Sequence, residues 1–276
     1  MAGFGRRGLF ALAGSAALGA GVARAAEDVL ARVKSAGVLR VGTETQFAPF
    51  DFLDNGKAAG LNYDLFAEIG RDMGLKIEFV ALPWESVLPG LDSGKFDMVS
   101  GPATITKARM ERYRFTPPIA EATCALLKKA GDTTLNKPED MAGKAIGSGK
   151  ATSQLEQLKK YSATLSPPAT VREYVDFSQA YADLAAGRIV GVANSLPNIA
   201  YVAAQRPETF ALMPTPFGEK SYFGFIGRKD ADYASLMDAV DAAVLKIKSD
   251  GRLAALQQKW FKTTFETPER VTNPAV

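Results

Sequence analysis

Apolar residues recur at helical spacing most clearly in one stretch: Leu61, Leu65, Phe66, Ile69 and Met73 share a face, with Gly60 before them and Gly74 after. This pattern predicts an amphipathic helix bounded by glycines. Short runs rich in β-branched residues lie around it. Residues 38–41 read as a strand preceded by a helix around 27–34, and residues 76–80, 85–92 and 96–99 read as strand, helix and strand. The second half repeats this grammar. Strands are expected at 145–146, 171–175, 189–192 and 222–226, helices at 153–160, 178–186 and near 197–204, and two closing helices at 231–248 and 253–261. Strand and helix alternate, which predicts two α/β units of unequal size with largely parallel sheets; no tandem period is visible.

Length and composition fit that picture. A chain of 276 residues, 47% hydrophobic and 23% charged, suits one large domain or two of about 100 to 150 residues, and excludes disorder, collagen-like repeats and a coiled coil. The first 25 residues read as an export leader. Arg6 and Arg7 precede a charge-free stretch at 8–22, and Ala23, Arg24 and Ala25 form a small-x-small cleavage site. The paired arginines and mildly apolar core suggest the twin-arginine route, with ordinary secretion as the alternative; a spanning helix would need roughly 20 apolar residues. Taking the three leader arginines from 33 Lys and Arg leaves 30, against 30 Asp and Glu. The mature chain is formally neutral, so a basic surface for nucleic acid loses its support.

The chain has no histidine and one cysteine. Ser-His-Asp and Cys-His nucleophile systems are therefore excluded, as are zinc sites that need His or several thiolates. Acid or base work could fall only to carboxylates, Lys, Tyr or Cys124. A single cysteine makes no internal disulfide, and Cys124 lies in a run at 122–127 that reads as a buried strand, so it is expected to be a core thiol. No metal or cofactor is called for.

An ordered series of segments carries a resemblance. LRVGTETQFAPF at 39–50, GLNYDL at 60–65, PW at 83–84, LPGLDSGKFD at 88–97, TITKAR at 104–109 and FTPP at 115–118 are followed by GKAIG at 143–147, TSQ at 152–154 and DLAAGRI at 183–189, then KSDG at 248–251 and KWF at 259–261. The series resembles the periplasmic solute-binding proteins of ABC importers, polar-amino-acid class (family 3). The resemblance implies a type II periplasmic-binding-protein clamshell, in which two α/β lobes are joined by two crossover segments and close on a ligand. The expected division is lobe one at 26–121 plus 216–276 and lobe two at 122–215.

It also implies site residues. Arg109 matches the arginine that grips the ligand carboxylate, a task its planar fork of donors suits. Thr104, two residues past Pro102, matches a hydrogen-bonding Ser or Thr, and the Pro102 carbonyl matches one that faces an ammonium. Thr106 is expected to cap the helix that carries Arg109. Thr152, Ser153 and Gln154 open a helix in lobe two whose free N–H groups can meet the same carboxylate, although Ser153 is equally readable as a cap. Phe47 and Trp84 match wall positions against the ligand side chain, whereas Phe50 reads as core. Glu44 matches an acid that faces a cationic side chain in basic-amino-acid binders, although a carboxylate there is also readable as the cap of a turn.

Three departures from the family pattern matter. The lobe-two acid that pairs with the ligand ammonium lines up with Ser195, beside Asn194; the residue after Arg188-Ile189 that is usually acidic is Val190; and Ala151 stands where a glycine is frequent. An enclosed cation without a partner is costly. Either Glu44 and neutral carbonyls hold an amine, or the ligand is a carboxylate without one.

The expectation is thus a monomeric extracytoplasmic receptor in the periplasm, not an enzyme, that captures a small carboxylate-bearing solute, a polar amino acid first, and presents it to a membrane permease. Two rivals stand beside it. One is a receptor that reports to a sensor. The other is an enzyme resembling cyclohexadienyl dehydratase, for which Glu44 is the one evident acid.

Overall fold

The computed structural model describes residues 1–3 and 28–276, so the expected export leader at 1–25, apart from its first three residues, lies outside the described residues. The chain starts with α1 (Val29–Ala36) and β1 (Val38–Thr43), then a small antiparallel sheet of β2 (Gln46–Phe47), β3 (Asp51–Asp54) and β4 (Lys57–Ala59). Next come α2 (Leu61–Met73), β5 (Lys76–Ala81), α3 (Trp84–Asp92), β6 (Met98–Thr104), the short α4 (Lys107–Arg112), β7 (Tyr113–Phe115) and β8 (Ala120–Glu121). A second unit follows, with β9 (Cys124–Lys129), β10 (Ala145–Gly149), α5 (Ser153–Ser162), β11 (Thr170–Tyr174), α6 (Phe177–Ala185), β12 (Gly191–Ser195), α7 (Leu196–Gln205) and β13 (Phe210–Leu212). The chain then returns to the first unit through β14 (Tyr222–Arg228) and ends in α8 (Ala234–Ser249) and α9 (Arg252–Phe261).

Two sheets result, one per lobe. The first has the order β5-β1-β6-β14-β7 with β8 also beside β14, and the second the order β11-β10-β12-β9-β13. In each, three strands are parallel, β5-β1-β6 and β11-β10-β12. The expectation of largely parallel sheets needs correction for the rest. β14 runs antiparallel to β6, and β9 runs antiparallel to β12. Both are strands by which the chain enters a lobe from the other one, so no crossover helix of their own lobe sets their direction.

The core explains why these segments hold. The predicted face of α2 buries Leu61, Leu65, Phe66 and Ile69 against Leu39 and Val41 of β1, Phe225 of β14, and Val240 and Val244 of α8. Burying a residue such as Phe66 contributes on the order of 1.5–3 kcal/mol. On the opposite side of the sheet, Val87 and Leu91 of α3 pack with Phe96, Val99 and Ile226. Leu126, Ile146, Leu158 and Met141 form a core in the second lobe, and Cys124 is buried among them, where desolvation pushes its thiol pKa up.

Helix α2 begins and ends at the predicted glycines. Gly74 is its left-handed C-cap, while Gly60 at its start has φ 132°, a region open essentially to glycine alone. The Leu61 and Asn62 amides donate to the carbonyls of Pro49 and Phe50, which ties the small sheet to the helix. A Cβ at residue 60 would collide with the Phe50 carbonyl oxygen. Gly60→Ala is therefore expected to cost about 1–3 kcal/mol or more, read as a lower urea midpoint at unchanged slope.

Candidate functional site

In open α/β sheets, ligands bind beyond the carboxyl ends of the strands, where short loops turn into helices. Glu44 follows β1, Trp84 follows β5, Pro102 and Thr104 end β6, and Thr152 follows β10. These loops converge between the two sheets. One cavity of ≈ 10 Å³ is lined by Glu44, Phe47, Trp84, Pro102, Thr104 and Arg109 from the first lobe, with Phe223, and by Thr152, Ser153 and Gln154 from the second. Nine of the eleven expected residues thus meet at a single point.

The contacts show that the lobes are closed. Trp84 Nε1 donates to the Ala151 carbonyl at 3.2 Å and Arg109 Nη2 to the same oxygen at 3.5 Å. Gln154 Nε2 reaches Thr104 Oγ1 at 3.4 Å, and the Phe47 ring lies 5.8 Å from that of Phe177. At the rim, Lys150 pairs with Glu85 at 2.7 Å, a half-exposed ion pair that contributes little by itself. Ala151 has φ 58°, in the left-handed region that its Cβ disfavours, and this turn is what aims its carbonyl at the first lobe.

Arg109 is positioned by a short helix with a firm start. Thr106 caps α4, its hydroxyl accepting from the Arg109 amide, as expected from the sequence. The guanidinium donates to the Thr104 carbonyl at 3.1 Å and lies 5.6 Å from the Trp84 ring centre. No carboxylate of the described residues forms an ion pair with Arg109. Desolvation pulls its pKa down to about 10, so it stays charged at neutral pH in a place that disfavours its charge.

Glu44 is the complementary case. It is buried, and desolvation, with Asp51 and Asp176 nearby, raises its pKa to about 8. Asp51 belongs to a buried support beneath it, accepting from Thr43 Oγ1 at 2.8 Å and Asn62 Nδ2 at 2.6 Å, and burial raises its pKa to about 8 despite those bonds. Tyr181, from the second lobe, is close enough for the charge of Glu44 to help raise its phenol pKa, after the larger effect of burial and against the bond from Asn194. One lobe therefore presents a cation and an acid, both desolvated, while Thr152, Ser153 and Gln154 of the other are neutral.

Two residues do not join them. The Asn194 side chain donates to the Tyr181 hydroxyl and accepts from the Ser195 amide, and the Ser195 hydroxyl is bonded to Asn198. Ser195 is fully buried where it pairs with Cys124, so neither residue lines the Arg109 cavity. The cap of α5 is Thr152, which accepts from Leu155 N, and Ser153 is the first helical residue. Sequence reasoning missed Phe223 and the Ala151 carbonyl. Phe223 was legible only as a strand residue, and a carbonyl has no side-chain signature.

Fold and site define a class: a two-lobed binding protein that encloses a small solute at the strand ends between its sheets. Residues 39–263 match the bacterial extracellular solute-binding proteins, family 3, and the chain belongs to that family. Among its relatives, the L-cystine-binding protein TcyJ of Escherichia coli K12 is 30% identical over 237 residues, covering 85% of this chain and 86% of that one. An ancestral arginine-binding protein bound to arginine is 31% identical, with a TM-score of 0.75, over 82% of this chain and 98% of that one. The ancestral amino acid-binding protein AncCDT-1, a precursor of cyclohexadienyl dehydratase, is 28% identical, with a TM-score of 0.76, over 85% and 99%. Among the described residues, no helix is long and apolar enough to cross a membrane.

The raised pKa of Glu44 has a consequence for stability. Protonated Glu44 favours the folded state; the benefit is whole below its ordinary value of 4.5 and is lost as pH rises through about 8. Glu44→Gln should leave the melting temperature unchanged at pH 5 and raise it at pH 9, measured without added solute.

Proposed function

We propose that this protein is the extracytoplasmic receptor of an ABC importer, and that it captures a polar amino acid by closing its lobes and performs no chemistry on it. The observation that carries this reading is the pairing of Arg109 with Glu44 around one cavity: a desolvated cation and a desolvated acid, neither with an ionic partner of its own. A zwitterion satisfies both at once. Its carboxylate takes the fork of Arg109 and the neutral donors of Thr104, Thr152 and Ser153, and its ammonium faces Glu44 and the Pro102 carbonyl. A carboxylate without an amine would bring no cation to favour ionised Glu44, so it would bind without releasing a proton there.

The assignment of lobe one to 26–121 plus 216–276 and lobe two to 122–215 belongs to the same proposal, as do export of a mature monomer to the periplasm and delivery to a membrane permease. The relatives named above are binding proteins, and the two ancestral ones bind amino acids. The dehydratase reading has the weaker support, because Glu44 has no second acid beside it in the cavity among the described residues.

Arg109→Ala should weaken amino-acid binding by about 2–5 kcal/mol, the range for leaving a desolvated charged partner unpaired. Titration calorimetry against a panel of amino acids measures it, and equal affinity in the variant would sink the proposal. The acid makes a second prediction. Because an ammonium favours ionised Glu44, binding should release a proton below about pH 8, and affinity should rise with pH from 6 to 8 by up to about tenfold per unit before levelling off. Calorimetry in buffers of different ionisation enthalpy reads the proton directly, and Glu44→Gln should abolish its release.

A further inference from the structure

The closed cleft contains a second chamber. A cavity of ≈ 380 Å³ lies between the β2–β3 hairpin of the first lobe and α6 and α7 of the second, and Phe47 lines both this space and the Arg109 cavity. Its walls meet across the lobes: Ser178 Oγ donates to Gln46 Oε1 at 2.6 Å, and Asn198 Nδ2 donates to the Ala48 carbonyl at 2.8 Å. The chamber therefore takes its shape from closure, as the Arg109 cavity does. Tyr181 lines the chamber and is near enough to Glu44 for that carboxyl to help raise its phenol pKa.

The chemistry of the chamber is distinct. None of the described residues lining it is acidic, and the single charged one is Arg206, which is exposed and has its guanidinium 4.7 Å from the Phe210 ring centre. Gln46, Tyr181, Asn198 and Tyr201 add amides and hydroxyls, while Phe52 and Val202 add apolar wall. We propose that this chamber is a second subsite, which takes the distal end of an elongated amino acid whose far group is a carboxylate or an amide. The proposal rests on the amino-acid reading above. Phe47 and Phe52 flank the methylene stem, and the far group meets Arg206 and the neutral donors. A distal ammonium or guanidinium would meet a like charge and no acid among the lining residues, which is an element of rejection as well as selection.

The test uses three probes on the full mature chain: L-2-aminoadipate and L-lysine, which are similar in length and opposite in distal charge, and L-alanine, which has no distal group. By titration calorimetry at pH 7.5, L-2-aminoadipate should bind at least about tenfold more tightly than either of the others. Arg206→Glu changes an exposed residue, so folding should be spared, which its melting curve checks. It should weaken L-2-aminoadipate by about tenfold, strengthen L-lysine and leave L-alanine as it was. If L-2-aminoadipate binds no better than L-alanine, or is indifferent to Arg206→Glu, the chamber is not a subsite, while binding that Arg109→Ala abolishes keeps the amino-acid reading. Binding of none of the three to the parent would overturn both.

Discussion

The site depends on one constraint: a guanidinium and a carboxyl, opposite in charge when ionised, are desolvated on the same lobe without being paired to each other. Arg109 and Glu44 line a common cavity, yet no ion pair joins them. Each is displaced toward its neutral form by burial, the guanidinium down to about 10 and the carboxyl up to about 8. A protein selected only for stability would have joined them or replaced both by apolar groups. In the proposed reading, keeping them apart leaves a site whose complement is a molecule with an acid at one end and a cation at the other.

The fold holds these groups apart at both ends. Arg109 is fixed by the Thr106 cap below it and the Thr104 carbonyl beside it. Glu44 is held by the strand end of β1, over the Thr43, Asp51 and Asn62 support, whose bonds reach down to the Ser100 carbonyl of β6. That support is itself made of buried polar groups, and Thr43 Oγ1 also contacts the Glu44 carbonyl at 3.2 Å, so the backbone that carries Glu44 is tied into it.

Much of this was legible in the sequence, and the limits have physical causes. The period of α2 and its two glycines fixed that helix to the residue, because an amphipathic face and a left-handed cap are local features. Arg109, Thr104, Trp84 and Glu44 were legible because they sit at a strand end, just past one, or in the first turn of the helix that follows, where motif spacing survives. The small sheet from Gln46 to Ala59 left no alternating pattern long enough to read, since its strands are two to four residues long. Asn194 and Ser195 lie away from the Arg109 cavity for another reason, with Asn194 lining the second chamber instead. Successive strand residues point to opposite faces, and matching a motif to the right strand end does not settle which face each side chain takes. Here Ser195 turns into the second lobe and bonds Asn198, and Asn194 turns to Tyr181.

The resemblance places an acid where this chain has Ser195, and in the proposed reading Glu44 takes that acid's part from lobe one. If the ammonium partner came from lobe two, both lobes would carry charge to the ligand, and closure would be driven by two ionic contacts. In the proposed reading, with Glu44 and Arg109 both on lobe one, solute is held by its charges before the lobes meet, and lobe two adds only neutral donors and the Ala151 carbonyl. That carbonyl accepts from Trp84 and Arg109, the same side chains that form the aromatic wall and the cationic clamp. Closure therefore orders the recognition residues themselves, so the free energy of lobe contact and that of solute binding share the same side chains. Opening the lobes withdraws Ala151 from Trp84 and Arg109 at once, which loosens the clamp at the step where the solute must leave.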